Sequence, residues 1–68
     1  MTDFRDAVLL GRYIGEIRAK AAAQEKRVRK LQLAGRCDAD AERLLTTLRG
    51  SLAALELEQQ ATQRRFER

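Results

Sequence analysis

Apolar and small residues recur at alternating three- and four-residue steps twice along this chain, on either side of a single glycine. The first run is Ala7, Leu10, Ile14, Ile17, Ala21, Gln24, Val28 and Leu31. The second is Ala41, Leu45, Leu48, Leu52, Leu55, Gln59, Thr62 and Phe66. A 3-4 spacing places every member of a run on one stripe of an α-helix, because side chains three and four apart share a face. A β-strand, with its period of two, would scatter the same residues over both faces. Two helical seams of similar length, one break between them and no proline anywhere predict an all-α fold. The expected form is an antiparallel two-helix hairpin, coiled-coil-like in its packing.

The break is "LAGRCDAD", Leu33 to Asp40. Gly35 suits the left-handed residue that follows a helix C-terminus. Asp38 suits the N-cap of a second helix, with Asp40 and Glu42 in the first turn, where the helix dipole favours acids. At the front, Thr2 or Asp3 suits an N-cap. At the back, "QRRFER" sets cations near a helix C-terminus. The expectation is one domain, 1–68, with a helix over about 3–34, a turn over about 35–38 and a helix over about 39–66; a connection this short forces the helices antiparallel.

A register follows from setting Leu31 opposite Leu45. Val28 then faces Leu48, Gln24 faces Leu52, Ala21 faces Leu55, Ile17 faces Gln59, Ile14 faces Thr62 and Leu10 faces Phe66. Beside that seam, Arg18 meets Glu56, Glu25 meets Arg49 and Lys20 meets Glu58. The layers far from the turn are polar on one side, which predicts a poorly packed open end. Gln24 and Gln59 read as polar seam residues that fix register or oligomeric state.

Size sharpens this expectation. At 68 residues a single core supplies no more than about 3–5 kcal/mol, and such chains lean on disulfides, metals or oligomerisation. One cysteine and no histidine leave neither an internal disulfide nor a zinc cage. Oligomerisation remains. Val8, Leu9, Tyr13, Leu33, Leu44 and Leu57 lie off the seam, and a homodimer paired into a four-helix bundle would bury some of them. No apolar run reaches the length of a membrane span. The N-terminal stretch has acids at Asp3 and Asp6 and no basic segment, unlike a signal peptide. A free thiol agrees with a cytoplasmic location.

The motifs that look like chemistry mostly resolve into helix grammar. "GRYIG", Gly11 to Gly15, has the spacing of close helix contact, but its setting is polar and its glycines fall beside the seam. "DADAE", Asp38 to Glu42, begins like a calcium loop, yet the sixth and twelfth places from Asp38 hold Arg43 and Arg49 rather than glycine and glutamate. Cys37 has no partner base. Ser51, Thr46 and Thr47 sit mid-helix in a chain without histidine, so no catalytic residue, cofactor or metal site is assigned.

The net charge is +4. The densest basic run is "EKRVRK", Glu25 to Lys30, and Arg27, Arg29, Lys30, Arg36 and Arg43 together make a basic bend end. Phosphate contact is its functional reading. No aromatics interleave for base stacking, and a solvated helix face is the plainer reading. The function expected is that of a non-enzymatic interaction or assembly module, binding itself or another protein. An RNA- or DNA-binding regulator acting through those five cations is the alternative.

Gln24, Val28 and Leu31, then Gly35, then "DADAERLL", then Leu48, Ser51, Leu52 and Leu55 carry a resemblance. From about Ile14 to Gln60 the chain resembles a group of small uncharacterised alphaproteobacterial helical-hairpin (hypothetical) proteins. The family pattern has an acid, then threonine or serine, where this chain has Cys37 and Asp38; the cap is kept and the cysteine is peculiar to this chain. The resemblance implies a hairpin and a bacterial source, and no activity. In architecture alone the chain is also similar to the plasmid copy-control RNA-binding hairpin.

Overall fold

The computed structural model of the chain describes residues 4–66, with side chains through residue 65. Helix α1 runs Phe4–Leu33 and helix α2 runs Ala39–Phe66. They form an antiparallel hairpin of 52 × 16 × 14 Å. The N-cap expected at Thr2 or Asp3 lies outside the described residues, as does the place of the Phe66 side chain in the seam.

The turn is built by its own hydrogen bonds. Gly35 sits at φ 74°, the left-handed region that a side chain disfavours. Its N–H donates to the Gln32 carbonyl at 3.0 Å, and the Arg36 N–H donates to the Leu31 carbonyl at 2.8 Å. This pair of bonds satisfies two carbonyls that the helix end leaves open, the pattern of a Schellman motif. Three residues later the Asp38 carboxylate accepts the Ala41 N–H at 3.1 Å. That bond caps α2 at its third residue, as an N-cap aspartate should. Only Arg36 and Cys37 lie between the two caps.

The seam is where the sequence places it. Ile14, Ile17, Ala21 and Val28 on α1 are buried, and so are Ala41, Leu45 and Thr62 on α2. Leu10, Leu31, Leu48, Leu52 and Leu55 are half-buried, as are Gln24 and Gln59. Of all these, Ile14 is the most enclosed, at 2% exposure. The half-buried leucines follow from geometry: a single facing helix covers only part of a seam residue, whereas a bundle covers both sides.

The register differs from the one expected. Val28 clusters with Ala41 and Leu45, and Leu31 packs on that cluster; Val28 was expected against Leu48. Gln24 donates to the Ala41 carbonyl at 2.9 Å. With Leu31 opposite Leu45, those two residues would sit about 16 Å apart along the axis, at 1.5 Å per residue. Gln59 likewise lies beside Gly11, its Nε2 3.6 Å from where a Cβ would stand, rather than level with Ile17. α2 is therefore displaced by at least one seam step, so each α1 residue meets an α2 residue nearer the turn.

The cause is twofold. A 3-4 seam is nearly self-similar, so a one-step slip again sets seam against seam. The tight double cap then selects the closer arrangement by starting α2 two residues after the Schellman turn. The ion pairs fit this displacement. Arg18–Glu56 forms at 3.3 Å and Glu25–Arg49 at 3.4 Å, because long side chains span the offset. Lys20 and Glu58, which required the largest offset, form no ion pair. The open end is closed rather than loose, with Ile14, Ile17 and Thr62 buried there.

Candidate functional site

The bend is the first place to look, since the sequence gathers a thiol, acids and cations there. Its acids are each occupied locally. Asp38 caps the Ala41 N–H, Asp40 pairs with Arg43 at 3.7 Å, and Glu42 accepts from Gln32 Nε2 at 3.3 Å. Three acids engaged in three directions do not converge on an ion, and no cluster of metal-ligating side chains forms among the described residues. A shallow open depression lined by Leu31, Arg36, Cys37 and Asp38 adjoins the turn. Cys37 is exposed on it. Thr46 gives its hydroxyl proton to the Glu42 carbonyl at 3.1 Å, the usual backbone bond of a threonine inside a helix.

The five cations assigned to the bend do not share a surface. Arg29 donates to Glu25 at 3.3 Å, on the flank where Glu25 also meets Arg49. Arg43 is tied to Asp40 on α2. Arg36 sits in the turn. Arg27 lies on the flank that meets Asp40 and Leu44 of α2, and Lys30 lies on the side of α1 turned away from α2, since three further residues rotate it out at 100° per residue. All five are exposed. The structure thus places the five cations of the bend in five settings. Nearness in sequence gave them an apparent unity that helical rotation removes.

Two flanks border the seam, and they differ. One carries Arg18–Glu56, Arg29–Glu25–Arg49 and Gln32–Glu42, a ladder of partly exposed charges. Each such pair contributes about 0–1 kcal/mol, so the ladder specifies alignment more than it stabilises. The other flank brings Gln24 and Arg27 of α1 beside Asp40 and Leu44 of α2. Leu44 is exposed there. No described helix is long and apolar enough to cross a membrane.

Exposed apolar side chains concentrate away from the bend. Phe4, Val8, Leu9 and Tyr13 all lie within the first three turns of α1, and Leu57 lies on the part of α2 that returns past them. They face several directions around the open end, so α2 alone cannot cover them. Val8, Leu9, Tyr13 and Leu57 are among the off-seam apolar residues that the sequence sets apart, and Phe4 joins them. Their common level in the hairpin becomes visible only once the two helices are aligned.

No protein-family model matches this chain, and neither a curated protein nor a solved structure matches it significantly.

Proposed function

We propose that the chain is a small non-enzymatic assembly module. In this reading the hairpin pairs with a second copy into a four-helix bundle, and its helix faces bind a partner protein. The observation that carries the reading is surface. The chain exposes 5710 Å² at 7.7 kDa, whereas a compact monomer of that mass exposes about 4,300 Å². Its radius of gyration is 15.5 Å, against about 11 Å for a compact domain of this length. The surplus, roughly 1,400 Å² per chain, exceeds the roughly 800 Å² per partner that a standard stable interface buries. The half-buried seam leucines and the apolar open end supply the chemistry such an interface needs.

The non-enzymatic part rests on the side chains available. The sequence has no histidine, the one thiol is exposed at a turn, and Thr46 is engaged by backbone. A positioned general base is the usual means of activating a hydroxyl nucleophile, and a chain without histidine lacks the commonest one.

Thermal unfolding at several concentrations tests the assembly. If folding is coupled to pairing, each tenfold dilution removes about 1.4 kcal/mol from the apparent stability. For a chain of this size that lowers Tm by about 5 °C or more per tenfold step. A Tm unchanged over a hundredfold dilution rejects self-association.

A further inference from the structure

The charge of this protein is not spread over it. Take the arc of about 120° on α1 that runs from its outer side round to the flank where Arg27 meets Asp40 and Leu44, on a helix of 3.6 residues per turn. Arg5, Arg12, Lys20, Lys26, Arg27 and Lys30 fall on that arc, and all are exposed. Glu16 is the one acid among them. The arc therefore carries six cations and one acid, net +5, while the rest of the chain holds eight cations and nine acids, net −1; together they give the +4 of the whole chain. None of the four ion pairs among the described residues uses a cation of the arc. Among the described residues, every cation tied to a carboxylate (Arg18, Arg29, Arg43 and Arg49) lies elsewhere. The free cations line one rigid helix over about 37 Å, at 1.5 Å per residue.

We propose that this cationic arc of α1 binds the phosphate backbone of a double-stranded nucleic acid. Three features select that partner. The exposed apolar residues on the arc, Val8 and Leu9, lie near the open end; between Arg12 and Lys30 it contains, besides its cations, only Glu16, Ala19 and Ala23. A protein interface needs apolar or aromatic anchors at its centre and is depleted in lysine. A membrane-surface helix needs an apolar face to insert, and the apolar face of α1 is occupied by α2. Single strands are held by aromatic side chains stacking on bases, and the arc has none. Exposed cations outside the ion pairs, on one helix and with small residues between them from Arg12 to Lys30, require only an array of phosphates. A duplex offers one such charge per 1.7 Å of its axis, so 37 Å spans about one helical turn. Recognition of this kind is independent of base sequence. The site is also distinct from the five-cation bend, from which it keeps only Arg27 and Lys30.

The test is binding of the full chain to a fluorescent 16-base-pair duplex of arbitrary sequence, as RNA and as DNA, across a salt series. Retention at low salt is expected, with log K falling against log salt at a slope near −4 to −5 for about five contacts. The variant Arg12→Gln/Lys20→Gln/Arg27→Gln should flatten that slope by about 3 and weaken binding at least tenfold, at unchanged helicity. The variant Arg29→Gln/Arg36→Gln/Arg43→Gln removes the same net charge from other directions and should weaken binding less than about threefold. Equal losses in the two variants would overturn the assignment, as would a greater loss in the second. So would absence of duplex binding at low salt, or tighter binding to phosphatidylserine vesicles than to the duplex.

Discussion

Leu45→Lys is expected to remove most of the helical signal of this protein, and Leu33→Lys to leave it nearly intact. Lysine and leucine have similar helix propensities, so the substitution spares local preference and strikes packing. Leu45 is buried in the cluster with Val28 and Ala41, whereas Leu33 is 84% exposed at the last residue of α1. Losing the leucine forfeits about 2–3 kcal/mol of burial. Holding an ammonium beside Val28 adds a desolvation cost of several kcal/mol, reduced where the side chain can extend to water. A chain of this length has about 3–5 kcal/mol to lose. Ellipticity at 222 nm and 25 °C gives the comparison. Equal signals from the two variants would mean that Leu45 is not on the seam.

Ile14→Ala carries the second large effect. Ile14 has the lowest exposure in the hairpin, and alanine is the better helix former, so any loss of stability comes from packing alone. The expected cost is about 2–5 kcal/mol, the range for truncating a buried aliphatic side chain. Val8→Ala, at a half-exposed position on the same turns of α1, should cost less than about 1 kcal/mol. Urea midpoints measure both. The contrast probes the open end, where the seam reads as weak in sequence and is tightly closed in the structure. A cost below about 1 kcal/mol for Ile14→Ala would show that this end is frayed.

The reason that end was misjudged is also the reason the register was. Helix identity is a local property. The apolar steps at Leu10, Ile14 and Ile17, the glycine at 35 and the cap at Asp38 each report on their own neighbourhood, and all are where the sequence places them. Register is a relation between helices, and a seam that repeats every three or four residues fits its partner equally well one step away. Arg18–Glu56 and Glu25–Arg49 also fit the expected alignment. Both pairs form, but side chains of that length reach across either alignment. Gln24 is more discriminating, since its amide must meet a carbonyl at hydrogen-bond distance and finds that of Ala41.

The basic surface was hidden for a related reason. A run such as "EKRVRK" is conspicuous, yet helical rotation turns its cations to different sides, and Arg29 is paired with Glu25. Arg5, Arg12, Lys20 and Arg27 are seven or eight residues apart and draw no attention as a string. On a helix that spacing is two turns, so they align. The neutral remainder of the molecule becomes apparent only when the ion pairs are taken out.

The surface of this hairpin and its few fully enclosed side chains are the basis of the proposal that it is half of a bundle. Sedimentation equilibrium at about 50 μM, a concentration where an interface of standard size is well populated, measures that directly. The account predicts a mass of twice 7.7 kDa. A mass of 7.7 kDa under those conditions, with the helices fully formed, would contradict it.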